Sequence, residues 1–288
     1  MDEIDPTQST SPELNRRTFV GLSAAAAAAA GSIARAIAAG EVMGKPHAPI
    51  VAEDDPSIAV ERVQLSRPGG AIGAYAAYPK KAGPLTSGLV VVMHIWGVDT
   101  SIRDVVRRYA KEGYVAVAPD LYSRFGAPTG DGVSDIAVFR PFASRLQESQ
   151  VAGDLNAAAQ WIEAAHPHAK VGVTGFCMGG KLCLQQAILN PAVFSANAPF
   201  YGDPRGIDPA KVHVPVCGSY GARDTSIPAE SVLAFKSALK VPNDIKIYPE
   251  AGHAFFDDQR ASFVPSAAAD AWHRTLAFFA KYLRGEVE

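Results

Sequence analysis

The stretch Lys170-Val-Gly-Val-Thr-Gly-Phe-Cys-Met-Gly-Gly-Lys181 constrains this chain more than any other. Val171 to Thr174 is a short apolar run of the kind a buried strand carries, and Lys181 to Leu189 repeats its apolar residues at helical spacing. Between them stands only Gly175-Phe-Cys-Met-Gly179. A strand and a helix this close are joined by a sharp turn of the G-x-nucleophile-x-G type, here with Cys177 at its apex. Side chains at Gly175 or Gly179 would collide with the neighbouring strand or helix, and the apex residue takes a strained backbone conformation. Such a turn lifts the sulfur above the sheet edge at a helix N-terminus, where amide groups and the macrodipole favour a thiolate. A buried structural cysteine in the same turn is the alternative that the local pattern leaves open.

Upstream and downstream, strand and helix patterns alternate. Val60 to Leu65 and Ala71 to Tyr78 flank Arg67-Pro-Gly-Gly70 and read as an antiparallel hairpin at a sheet edge. Gly88 to His94 is a continuous apolar run, typical of a strand buried on both faces. Ile102 to Glu112 and Gln150 to Ala165 read as helices, and Tyr114 to Ala118 as a strand. Ala196 to Tyr201, Val214 to Tyr220 and Asp244 to Tyr248 follow as strands, alternating with helices over Pro228 to Leu239 and Pro265 to Leu283. This succession predicts an α/β fold: a three-layer sandwich with a mostly parallel central sheet and an antiparallel N-terminal hairpin. The Gly- and Pro-rich run from Ser123 to about Val133 is expected to be a long loop above the strand ends.

Residues 1 to 45 are set apart as a leader and linker, leaving 46–288 for one domain. Asn15-Arg-Arg-Thr-Phe-Val20 has a twin-arginine pattern, followed by an Ala-dominated run, Val20 to Ala30, too short for a convincing membrane span. The expectation is export by the twin-arginine route to a periplasmic or extracytoplasmic location, with no stable membrane insertion after signal removal. Glu41 to about Ser57, acidic and Pro-containing, reads as a linker. A net charge of −2 gives no electrostatic case for nucleic acid. Three cysteines cannot all pair; with Cys177 reserved, Cys183 and Cys217 are either free core thiols or a bridge. Metal-ligand spacing of His and Cys is absent, so no metal is expected.

A thiol nucleophile needs a base, and the base an acid to orient it. Both follow Cys177 in the order nucleophile, acid, histidine. Asp224 lies just past the apolar strand that runs toward Gly221, and His253 stands in a Gly-His turn after Lys246 to Tyr248. Both would project from the carboxyl ends of parallel strands, the edge that carries Cys177. Singly, Asp224 could cap the helix opening at Pro228, and His253 could be an ordinary loop histidine. His94-Ile-Trp-Gly97 closes the first central strand, which offers the N–H of Ile95 and of Met178 as an oxyanion hole. His47, His166, His168, His213 and His273 stand in less suitable places.

With Gly175 to Gly180, Ala118-Pro-Asp-Leu-Tyr-Ser-Arg124, Gly221 to Pro228 and Ala251-Gly-His-Ala-Phe255 assembled, the chain resembles the dienelactone hydrolase family (carboxymethylenebutenolidase-like α/β-hydrolases) from about Val60 onward. The resemblance implies a Cys177–Asp224–His253 triad, no cofactor, and hydrolysis of an enol lactone or related carboxylic ester through a thioester. Residues expected around the substrate are His94, Trp96, Arg124, Tyr201 and Phe255. Typical members carry glutamate where His94 stands, and an arginine soon after the histidine where this chain has Ala254-Phe-Phe-Asp257; Asp257 would repel an anion there. Arg124 matches the family's other carboxylate-binding arginine. The expected partner is a small ester or lactone, for a monomer or weak homo-oligomer. A non-catalytic or thiol-redox protein on the same fold is the competing reading.

Overall fold

The computed structural model describes residues 47–81, 83 and 86–286. The twin-arginine pattern, the Ala-rich run and residues 41–46 of the expected linker lie outside the described residues. Eight strands form one sheet in the order β1-β2-β4-β3-β5-β6-β7-β8. They are β1 (Ile58–Leu65), β2 (Ile72–Pro79), β3 (Gly88–Val92), β4 (Val115–Pro119), β5 (Val171–Phe176), β6 (Phe194–Phe200), β7 (Ser219–Gly221) and β8 (Lys246–Tyr248). β1 pairs antiparallel with β2, and β2 antiparallel with β4; every later pairing is parallel. The five residues of β3 are all buried, which is what a strand flanked on both sides and covered on both faces requires.

Helices α1 (Thr100–Lys111), α2 (Glu148–Ala165), α3 (Met178–Leu189), α4 (Ala229–Ala238) and α5 (Pro265–Phe279) are the crossovers and the C-terminal cover. Two glycines fix which helices lie on which face. Leu89 of β3 registers with Gly172 of β5, so Gly88 and Gly172 point to opposite faces. A Cβ at Gly88 would lie 2.5 Å from Ile162 of α2, and one at Gly172 would lie 2.9 Å from Phe279 of α5. Thus α2 and α5 cover different faces at such close range that only hydrogen fits. α1 joins α5 through Tyr109 and Trp272, whose ring centroids are 4.5 Å apart. α3 joins α2, with Asn190 Nδ2 donating to Ala152 O at 3.0 Å. Three layers result, as the alternating pattern requires.

Two expectations change. The strand expected over Val214 to Tyr220 is regular only at β7, while Val216 makes isolated bridges to Asn197 and Asn243. Pro215 has no N–H to give the ladder, so pairing there stays local. The expected linker is not free over its described part. Val51 is buried, and the amides of Ile50 and Val51 donate to the fully buried carboxylate of Asp104 at 3.0 and 2.8 Å. Arg107 Nε donates to Val51 O at 2.6 Å. A buried aspartate demands donors, and this segment supplies two of them. The long loop after β4 holds short helical turns at Ser123–Phe125, Ile136–Val138 and Arg140–Ala143.

Among the described residues no helix is long and apolar enough to cross a membrane. The three cysteines are free thiols, so the bridge considered for Cys183 and Cys217 is absent. Cys183 lies in the core with its sulfur 3.1 Å from Asn197 Oδ1, and burial pushes its thiol well above the usual range.

Candidate active site

Because the six strands from β3 onward run parallel, their carboxyl ends share one edge, and the loops leaving β3, β4, β5, β7 and β8 meet there. Cys177 follows β5 directly and precedes α3, at φ 56° and ψ −117°. The glycines around it are dictated by backbone contact. A Cβ at Gly175 would sit 2.2 Å from Gly179 O, and one at Gly179 would sit 2.4 Å from both Val92 O and Met93 O. Gly180 and Gly202 are equally pressed, with a Cβ at Gly202 only 2.2 Å from the carbonyl carbon of Gly180. The Cys177 amide donates to Phe200 O at 3.1 Å, which moors the apex to the end of β6.

The loops after β7 and β8 are similarly locked. A Cβ at Gly221 would lie 2.4 Å from Ala251 O, and Arg223 N donates to that carbonyl at 2.8 Å. This contact brings Asp224 and His253 into register. His253 Nδ1 lies 2.6 Å from Asp224 Oδ2, and His253 Nε2 lies 3.0 Å from Cys177 Sγ. The other oxygen of Asp224 accepts from the amides of Ser226 and Ile227 at 2.8 and 3.1 Å. The carboxylate therefore meets both descriptions open to it in sequence, one oxygen holding its own turn and the other facing the imidazole. Burial works against charge on His253, but the hydrogen bonds to Asp224 and Cys177 outweigh it and push its pKa up to about 10. Burial also opposes the charge on Asp224, and the His253 contact outweighs that, holding its carboxyl below the usual range.

Ile95 and Met178 stand on either side of the sulfur's turn, one after β3 and one opening α3. Among the described residues neither of their amides donates to a backbone carbonyl. One side chain braces both: the buried hydroxyl of Tyr122 donates to Ile95 O at 3.2 Å and lies 3.6 Å from Met178 Sδ. Tyr122 was not singled out as a site residue from sequence. Its signal was positional, since Pro119-Asp-Leu-Tyr122 leaves β4 at the same edge.

The residues expected around the substrate divide. The Tyr201 ring lies 5.3 Å from that of His253, at φ 36°, and burial pushes its phenol well above the usual range. Phe255 belongs to the core instead: it is 0 % exposed and packs between Tyr201 and Tyr248. His94 is 3 % exposed, with Nε2 2.9 Å from Asp99 Oδ1 and Nδ1 3.6 Å from Asp257 Oδ2. It faces two carboxylates rather than open space. Trp96 is half-buried beneath Arg260, whose guanidinium carbon lies 3.4 Å from the ring centroid. Arg124 pairs with the buried Asp154 and donates to Gln150 Oε1 at 3.2 Å. Asp154 also holds Arg67, at 2.7 Å. Asp257 does not stand as a bare anion either. It is buried, with Arg260 Nε at 3.1 Å and Ser101 Oγ at 2.9 Å, so the repulsion expected from it is neutralised at source.

The model of the dienelactone hydrolase family matches residues 72–283, which is most of the chain. The chain belongs to the dienelactone hydrolase family. Two relatives named "Putative carboxymethylenebutenolidase" share 37 % identity with it. One, from Salmonella typhimurium (strain LT2), aligns over 79 % of this chain and 89 % of its own. The other, from Escherichia coli (strain K12), aligns over 81 % and 91 %. A solved "Putative Dienelactone Hydrolase" from Klebsiella pneumoniae superposes with a TM-score of 0.70 at 36 % identity, covering 78 % of this chain and 99 % of that one. The mostly parallel sheet with its antiparallel start, covered by helices, is an α/β-hydrolase fold, and the chain is a hydrolase of the lactone or ester class. Among the described residues no group of His, Cys, Asp and Glu side chains is placed to hold a metal ion.

The glycine contacts make a direct prediction. Gly179→Ala forces a methyl against two backbone carbonyls that cannot rotate away, and should destabilise the fold by about 2 kcal/mol or more. Gly153→Ala, in α2 with nothing within 4 Å of the added carbon, should leave stability unchanged or slightly raised. Thermal melts of the two variants check this; equal melting temperatures would contradict the packing argument.

Proposed function

We propose that this dienelactone hydrolase-family enzyme cleaves a lactone or carboxylic ester with Cys177 as nucleophile, His253 as general base and acid, and Asp224 as the residue that orients His253. The observation that carries this reading is the chain of contacts through the imidazole, 3.0 Å to sulfur on one side and 2.6 Å to carboxylate on the other. A histidine with its pKa near 10 is an imidazolium at neutral pH, and a cation 3.0 Å from sulfur stabilises the thiolate.

Chemically, the thiolate attacks the acyl carbon, and negative charge gathers on the former carbonyl oxygen. The Ile95 and Met178 amides, which donate to no backbone carbonyl among the described residues, are the donors assigned to that oxygen; such a donor is typically worth about 3 kcal/mol in the transition state. The tetrahedral species collapses to a thioester as His253 gives its proton to the leaving oxygen. His253, now neutral, takes a proton from water, whose oxygen attacks the thioester and returns the sulfur as thiolate. Trp96 is the side chain assigned to the substrate's flank, while Tyr201, a neutral phenol that is itself fully buried, packs against the His253 ring. Arg124, committed to Asp154 and Gln150, argues for a substrate that does not depend on that arginine for a carboxylate.

The redox alternative requires a second thiol to resolve a Cys177 disulfide. Cys183 and Cys217 are both buried, and burial pushes the Cys217 thiol up to about 12. Export by the twin-arginine route is part of the same reading and rests on Asn15-Arg-Arg-Thr-Phe-Val20.

Folded Cys177→Ala should lose about a thousandfold or more in kcat on p-nitrophenyl acetate or an enol lactone. Retained turnover in that variant would remove the nucleophile assignment. The pH dependence follows from the raised His253 pKa: the protonated form exists below about 10 and is lost as pH rises through it. A plot of kcat/KM against pH should therefore stay level through neutrality and fall on its alkaline limb near 10; a fall centred near the ordinary histidine value would contradict the ion pair. For export, changing Arg16 and Arg17 together to lysine should leave the protein in the cytoplasm on cell fractionation, and an unchanged distribution would count against that route.

A further inference from the structure

Behind the oxyanion turn lies a buried cluster that the proposed reaction does not use. Asp99 caps the N-terminus of α1, accepting from Ile102 N at 3.2 Å, and it lies two residues past the His94–Gly97 turn. Asp257 belongs to the loop of His253 and is folded back on it, its amide donating to Ala254 O at 3.1 Å. Two acidic groups from two separate loops thus approach one place. Arg260 spans them: Nη2 lies 3.3 Å from Asp99 Oδ2 and Nε lies 3.1 Å from Asp257 Oδ2. Its planar head also stacks on Trp96, 3.4 Å from the ring centroid, and Trp96 is the residue after Ile95. His94 reaches the same two carboxylates from the strand side.

Two buried carboxylates without a cation between them would drive their loops apart. With the fork in place, one loop fixes the direction of the Ile95 amide and the other fixes His253, and neither can shift independently. We propose that Arg260 is a positioning residue of the hydrolytic reaction: it locks the oxyanion turn to the histidine loop through Asp99, Asp257 and Trp96, without touching substrate. This rests on the assignment of Cys177, His253 and the Ile95 amide given above. Misplacement of catalytic groups by small distances lowers turnover more than it weakens substrate binding, which separates a positioning role from a binding one.

The test is steady-state ester hydrolysis with thermal melts for Arg260→Met and Arg260→Lys, with Cys177→Ala alongside. Arg260→Met should lower kcat about 10- to 100-fold while KM stays within about twofold; it leaves two buried carboxylates without their cation, so its melting temperature falls, but the protein stays folded at the assay temperature. Arg260→Lys keeps the charge but cannot fork to both carboxylates, and should recover part of the lost turnover. Wild-type kcat in Arg260→Met, a rise in KM alone, or a loss that tracks a falling melting temperature in both variants would overturn the proposal. If Arg260→Met does not fold, Arg260→Lys decides alone: reduced kcat at unchanged melting supports the lock, and wild-type kcat removes it. An active Cys177→Ala protein would instead defeat the reading on which the lock depends.

Discussion

The structure depends on a place where backbone meets backbone with no side chain between. At the end of β5 the chain turns back so tightly that Gly175 faces Gly179, and Gly179 in turn rests on the carbonyls of Val92, the last residue of β3, and of Met93 just after it. That contact does two things at once. It holds Cys177 at a positive φ that a non-glycine residue seldom keeps, and it sets that turn against the strand whose continuation carries Ile95. Strain at the apex persists because packing on every side over-determines it. Gly221 repeats the device between the loops of Asp224 and His253, with Ala251 and Gly252 carbonyls where its Cβ would be. Glycine contacts of this kind convert a sheet edge into fixed distances among three side chains.

Around this frame, charge is placed where it is answered. Asp104 takes amides from the N-terminal segment, and Asp154 holds Arg67 and Arg124. Asp99 stays ionised against its burial because His94 and Arg260 stand beside it. Buried ion pairs of this sort add little net stability, but breaking one leaves an uncompensated charge, so they penalise alternative loop positions. The consequence for specificity is direct. The basic side chains Arg124 and Arg260 already have carboxylate partners within the protein, so an incoming anion would have to compete with them.

Much of this was legible in the sequence because it is written locally. The elbow, the continuous apolar run of β3 and the Gly-His turn each announce an element and its end, and the order Cys, Asp, His sets them on one edge. What was not legible came from side chains meeting across long separations. Arg260 and Asp99 are 161 positions apart, and no periodicity reports their pairing. Phe255 carries the same letter whether it lines a pocket or fills the core, and its fully buried position depends on Tyr201 and Tyr248 arriving around it. Arg124 lay in a recognisable motif, but its partner Asp154 sits in a helix whose pattern carries no sign of the pairing. Pro215 shortened a strand that hydropathy alone would extend.

The burial of two of the three sulfurs has a practical consequence. Cys183 and Cys217 are sealed in the core with their protons held, while Cys177 is half-buried at the carboxyl edge of the sheet. A mild alkylating reagent therefore meets one accessible sulfur per folded chain. Covalent uptake of a chromogenic maleimide would report folding directly, with one sulfur labelled in the folded chain and all three once it unfolds.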